Sequence, residues 1–266
     1  MDYDHLEYSR EDGIAKITLN RPQKLNAFTS EMYQGLSAMI EAAEKDSAVR
    51  VLVITGTGRA FCVGADVKSL EQGLADRPKH ILPPEPTADM VSKILTLPLQ
   101  RMEKPVIAAI NGIAAGGGLD VACACDIRIA SEQATFSSVF VRRGIVPTMG
   151  GTYFLPRLVG IDRACEMIWT GDIVDAREAE RIGLVTRVVP HNELEMAAEE
   201  LALKIASGPP LAIAQSKRLI YSGLNMDLES ALIDVMRSYS ALGLTEDHQE
   251  ALRAFLEKRE PVFKGK

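Results

Sequence analysis

The run NGIAAGGGLDVACACDI, residues 111–127, constrains this chain more than any other stretch. It follows directly on PVIAAI (105–110), an apolar segment with the length and composition of a buried strand. Three glycines and then a carboxylate, Asp120, stand ahead of the apolar VACAC. A buried strand that turns through glycine into an apolar helix belongs to a layered α/β architecture. Glycine suits such a turn because it tolerates unusual φ/ψ and lets two backbones approach closely. Asp120 is the anomaly. A carboxylate entering an apolar run must lie at an exposed helix start, be buried against a partner, or be held for chemistry.

The pattern has a counterpart upstream. VRVLVITG (49–56) reads as a buried strand, and GTGRAFCVGAD follows it, again with glycine close before an acid. GIAKITL (13–19) alternates like a half-buried strand and NRPQKLNAF breaks it at Pro22. A helix starting near Thr29 or Ser30 would carry Met32, Leu36, Met39, Ile40 and Ala43 on one face. DIRIAS (126–131) is a further strand. The proline-rich stretch 70–92 shows little periodicity and reads as a surface loop. After residue 150 helical patterns dominate. IDRACEMIWTG ends at Gly171, and Asp175 with Glu178 forms a capping-box-like helix start. Four more periodic segments run from ELEMAAEELALKIASG to EDHQEALRAFLEKR. No internal repeat or low-complexity tract is visible.

Composition removes several functional classes. A chain of 266 residues, 47% hydrophobic, can bury one sizeable core. The net charge of -6, with no basic stripe, argues against nucleic acid, so an anionic ligand would be met by local cations. Cys62, Cys123, Cys125 and Cys165 include no CxxC pair and read as free thiols in a reducing compartment. The polar start is unlike a signal peptide and no apolar stretch approaches membrane-spanning length, so a cytoplasmic location is expected. Gly56-Thr57-Gly58 fails as a dinucleotide fingerprint because Phe61 holds its third glycine position and no helix opens there. No G-x-S-x-G, H-E-x-x-H or Walker lysine occurs. His5, His80, His191 and His248 are scattered, and His80 reads as a solvated loop residue. What remains is the pair of turns GAD (64–66) and GGGLD (116–120). Their backbone N–H groups could form an oxyanion hole, or their glycines could simply permit tight strand-to-helix packing.

NRPQKLNAF, AFCVGAD, PVIAAINGIAAGGGLDVACACDIRIAS, VPTMGGTYFLPRLVG and AFLEKR, in this order, resemble the enoyl-CoA hydratase/isomerase (crotonase) superfamily, over nearly the whole chain. The resemblance implies a spiral of ββα units in residues 1–190, followed by a helical region, 191–266, that builds trimers or dimers of trimers. It implies an acyl-CoA thioester as substrate, no cofactor beyond that coenzyme A, and no metal. The carbonyl oxygen would be held by the N–H groups of Ala65 and Gly117. Asp120 falls where family hydratases carry the first of two catalytic glutamates, and is the expected acid/base. By the same resemblance Lys24, Leu25, Arg59, Gly64, Asp66, Val67, Lys68, Gly116 and Phe140 belong to the CoA and substrate site. Tyr239 and Lys258 would reach CoA in a neighbouring subunit.

One departure limits what the resemblance implies. Counting back from Gly144 places Phe140 where hydratases carry the second glutamate, and no Asp or Glu occurs between Glu132 and Asp162. Arg142 and Arg143 stand in this run, as a solvated or trimer-contact pair or as readers of a substrate carboxylate. The expectation is a hydratase/isomerase-type enzyme working with one acid. The alternatives are an acyl-CoA hydrolase, decarboxylase or C–C lyase of the same superfamily, or a weakly catalytic CoA- or RNA-binding homologue.

Overall fold

The computed structural model describes residues 3–66 and 85–266. The strands are β1 (Leu6–Glu11), β2 (Ile14–Leu19), β3 (Val51–Gly56), β4 (Ala60–Cys62), β5 (Val106–Ile110), β6 (Ile113–Ala115), β7 (Ile127–Ser131), β8 (Thr135–Ser137), β9 (Val174–Asp175) and β10 (Arg187–Val189). The helices are α1 (Ser30–Lys45), α2 (Ala88–Ser92), α3 (Thr96–Arg101), α4 (Gly117–Ala124), α5 (Gly151–Val159), α6 (Ile161–Thr170), α7 (Ala176–Arg181), α8 (Leu194–Ala206), α9 (Pro210–Gly223), α10 (Leu228–Leu242) and α11 (Glu246–Glu257).

These strands form two sheets. A six-stranded sheet runs β1-β2-β3-β5-β7-β10 and a four-stranded one runs β4-β6-β8-β9. Three times a strand of the large sheet is followed at once by a short strand of the small one: β3 then β4, β5 then β6, β7 then β8. In the small sheet β4, β6 and β8 are parallel neighbours, so the segments that follow them leave one common edge. That edge is where the two glycine turns meet.

The large sheet is covered on both sides. Met32, Leu36, Met39, Ile40 and Ala43 of α1 are buried, and Thr29 caps the helix by accepting from the Met32 N–H at 3.1 Å. On the other side Leu194, Ala197, Ala198, Ala202 and Ala206 of α8 pack against Val51, Val53, Ile107, Ala109 and Ile129. A parallel strand buried on both faces has no polar side to alternate with, which explains the unbroken VLVI of β3.

The structure departs from the sequence reading in a few places. Leu6–Glu11 is a strand, because the polar N-terminal segment pairs along the edge of β2, where only Leu6 is buried. Ala88–Ser92, read as loop, forms a short helix capped by the Thr87 hydroxyl. The remainder of the stretch 70–92 down to residue 84, with His80, lies outside the described residues, as do Val67 and Lys68. The short strands β4, β6 and β8 were hidden because three residues are too few to show a period.

A buried ion pair fastens α9 to the sheet. Asp126 Oδ2 accepts from Lys217 Nζ and from the Val106 N–H, both at 2.7 Å, and Oδ1 accepts from the Tyr221 hydroxyl at 2.8 Å. The Lys217 side chain is only 8% exposed. Removing one partner from such a pair leaves a buried charge without compensation. Asp126→Ala is therefore expected to destabilise the protein by about 3–5 kcal/mol, measured by denaturant unfolding at fixed protein concentration.

Candidate active site

The first turn is built by a cross-chain clamp. Arg21 Nη1 donates to the Asp66 carboxylate at 2.7 Å and to the Ala27 carbonyl at 3.2 Å, with both charged side chains largely buried. Phe28 pairs in parallel with Ala65: its N–H donates to Gly64 O at 2.8 Å and its carbonyl accepts from the Asp66 N–H at 3.0 Å. Successive peptide groups of extended backbone point to opposite sides, so the Ala65 N–H faces away from Phe28. Among the described residues it has no acceptor. Asn26 and Asn111 brace the approach to this turn, each donating from Nδ2 to the Ala60 carbonyl.

In the second turn the three glycines meet different surroundings. Gly116 sits at φ +52, in the left-handed region. A Cβ on Gly117 would stand 2.9 Å from Met149 Sδ. A Cβ on Gly118 would overlap the backbone carbonyl of Cys62. Gly117 is the first residue of α4, so its N–H has no acceptor inside the helix. The two turns touch: a Cβ on Gly64, itself at φ +85, would lie 2.8 Å from the Gly117 nitrogen. Close packing and free N–H groups thus coexist here. Among the described residues neither N–H has an acceptor, and the two turns that carry them lie side by side.

Asp120 stands one turn along α4 from Gly117, on the same helix face, and is fully buried. Of the three possibilities raised by its sequence position, an exposed helix start is ruled out. Its Oδ2 accepts from the Met149 N–H at 3.1 Å, whereas Oδ1 has no partner among the described residues. Burial pushes the carboxyl up to about 7, and the amides of Met149 and Gly151, at the start of α5, pull the other way. A Cβ on Gly151 would stand 2.5 Å from that Oδ1.

The rest of the wall is apolar. The ring of Phe140 and Cγ2 of Val139 approach the space above Gly116. Phe140 is buried and puts an aromatic ring, not a carboxylate, into this wall. Among the described residues no cluster of His, Cys, Asp and Glu could hold a metal ion, and no helix is long and apolar enough to cross a membrane.

Residues 9–266 match the family model described as enoyl-CoA hydratase/isomerase. The chain belongs to the enoyl-CoA hydratase/isomerase family. It is 38% identical to the short-chain-enoyl-CoA hydratase of Clostridium acetobutylicum over 97% of each chain. It is 35% identical to the 1,2-epoxyphenylacetyl-CoA isomerase of Escherichia coli over 96% of this chain and 97% of that one. The crystal structure of an enoyl-CoA hydratase from Bacillus anthracis superposes with a TM-score of 0.90 at 37% identity, covering 99% of this chain and 100% of the other.

Not every residue that the resemblance suggested gathers at this edge. Lys24 and Arg59 are exposed on the loops that flank the first turn, and Leu25 adopts left-handed backbone at φ +53. Tyr239 is exposed on α10, which packs on α9, and Lys258 forms the left-handed C-cap of α11. Arg142 is tied to Asp172 at 2.5 Å and to the Thr170 carbonyl at 2.9 Å, while Arg143 has no ion-pair partner among the described residues. Met149, Gly151 and Cys62 were not singled out from sequence. The Gly150-Gly151 pair beside Met149 was the available signal.

The carboxyl of Asp120 makes stability depend on pH with a definite sign. Its folded pKa lies above its unfolded value, so the native state holds the proton more tightly. Its contribution is fully present below about pH 4, the ordinary carboxyl range, and is lost as pH rises through about 7. Asp120→Asn, which cannot ionise, should therefore gain stability relative to the parent between pH 4 and pH 8, as read by paired urea titrations.

Proposed function

We propose that this chain is an acyl-CoA enzyme that stabilises a thioester enolate between the Ala65 and Gly117 N–H groups and moves protons with Asp120 alone. The observation that carries the reading is the free Oδ1 of Asp120. It is a buried, unpartnered carboxylate oxygen one helical turn from an unsatisfied N–H. As anion it removes a proton from a carbon next to the thioester carbonyl or conjugated with it. The charge moves to the thioester oxygen, where two N–H groups receive it, each worth roughly 3 kcal/mol of barrier. Asp120, now protonated, returns the proton to another carbon. A pKa of about 7 supports both halves, because each protonation state is accessible near neutral pH.

The same site is poorly equipped to add water. Hydration across a conjugated double bond is best served by two groups that hold the water and exchange protons. Here Phe140 and Val139 present hydrocarbon beside Gly116. One relative is named a 1,2-epoxyphenylacetyl-CoA isomerase, while the hydratase names favour single-base hydration as the second reading. Lys24, Arg59 and Lys68 would meet the CoA phosphates.

Assembly belongs to the same proposal. Leu228, Leu232, Met236, Leu244, Phe255 and Leu256 on and between α10 and α11 are exposed, Phe255 to 81%, far more apolar surface than a stable monomer leaves in water. A homotrimer or dimer of trimers would cover it and bring Tyr239 and Lys258 toward a neighbour's CoA.

Two measurements test this. In deuterated water the protein should exchange the acidic C–H of an acyl-CoA and shift its double bond faster than it hydrates crotonyl-CoA. Asp120→Asn should lower both rates at least about 100-fold, with CoA affinity nearly unchanged. Efficient crotonyl-CoA hydration by the parent, or full activity of Asp120→Asn, rules out the one-acid mechanism. Light scattering at micromolar concentration should give a trimer or hexamer, and a monomer that binds CoA tightly contradicts the assembly.

A further inference from the structure

Two backbone N–H groups make a useful oxyanion hole only if they are held at a fixed separation and aimed at one point. In this chain they come from different segments, one after β4 and one after β6. Cys62, the last residue of β4, contacts both turns, one through its side chain and the other chiefly through its backbone. Cys62 is fully buried, and its Sγ accepts from the Gly64 N–H at 3.3 Å. This sulfur bond closes the chain over two residues and bends it into the left-handed Gly64, immediately ahead of Ala65.

The same residue touches the second turn. Its backbone carbonyl lies where a side chain on Gly118 would have to go, and its Cβ is 2.8 Å from that position. Cys62 therefore sets both how the GAD turn leaves β4 and how deeply the N-terminus of α4 seats against β4. Burial pushes the thiol up to about 12, so it stays neutral and acts as a soft acceptor rather than a nucleophile.

We propose that Cys62 is the positioning residue of the oxyanion hole, its thiol holding the Gly64 turn while its backbone seats α4, so that the Ala65 and Gly117 N–H groups converge. The proposal rests on the reading of those two N–H groups as the carbonyl donors. Cys62 itself touches no substrate atom. Its loss should change how strongly the carbonyl is polarised, not whether the thioester binds.

The experiment uses an acyl-CoA probe with a conjugated electron-donating ring, such as 4-(dimethylamino)cinnamoyl-CoA, whose visible absorption moves to the red when its carbonyl is polarised. The parent is measured first, since absence of any red shift there overturns the donor assignment and this inference with it. Given a shift in the parent, Cys62→Ala should lose at least half of it. Turnover should fall about tenfold and probe affinity change by less than about twofold. Cys62→Ser, which keeps an acceptor on the same Cβ, should recover most of both. Should Cys62→Ala fail to fold, Cys62→Val fills the space without an acceptor and carries the same comparison with Ser. A full red shift and full turnover in an acceptor-free variant, or a Ser variant as impaired as that one, overturns the role of Cys62.

Discussion

The contact on which the rest of the molecule depends is one of backbone on backbone, the Cys62 carbonyl against Gly118. It brings the end of β4 and the start of α4 closer than any side chain would allow. The parallel pairing of β4, β6 and β8 sends the segments that follow them, α4 among these, off the same end of the small sheet. Gly112 repeats the constraint one strand earlier, where a Cβ would overlap the Arg59 carbonyl. The proposed chemistry thus uses groups that ordinary helix–sheet packing has already left unpaired.

Asp120 shows the converse, a polar group under-satisfied where satisfaction was possible. Burying a carboxylate with only the amides of Met149 and Gly151 beside it is unfavourable, and the raised pKa expresses that cost. Asp126 makes the comparison direct. It is also largely buried in the same domain, yet it has a lysine, a tyrosine and a backbone N–H around it. One carboxylate is used for structure and is fully partnered. The other keeps an oxygen open.

Much of this could be read from residues. The strands at 13–19, 49–56 and 126–131, the α1 face from Met32 to Ala43, and the cap at Asp175 all appear where periodicity and capping chemistry placed them. Both glycine turns and the anomaly at Asp120 were legible because glycine beside an acid after a buried strand is a strong local signal. The partners of Asp120 were not, since Met149 and Gly151 lie far along the chain and act through backbone atoms that carry no side-chain signature. Cys62 was hidden for a related reason. Its thiol reads as a small buried hydrophobe until the Gly64 N–H is seen to point at it.

The covering of the large sheet by α8 bears on how the chain comes off the ribosome. Val51, Val53, Ile107, Ala109 and Ile129 belong to strands made early, yet the residues that cover their outer face are Leu194 to Ala206. Until those have been synthesised, a β-rich apolar surface with an unfinished edge stands open, the kind of surface that recruits other nascent chains. β10, the last strand on that edge, ends only a few residues before α8 begins. Edge closure and face closure therefore occur almost together, late in synthesis.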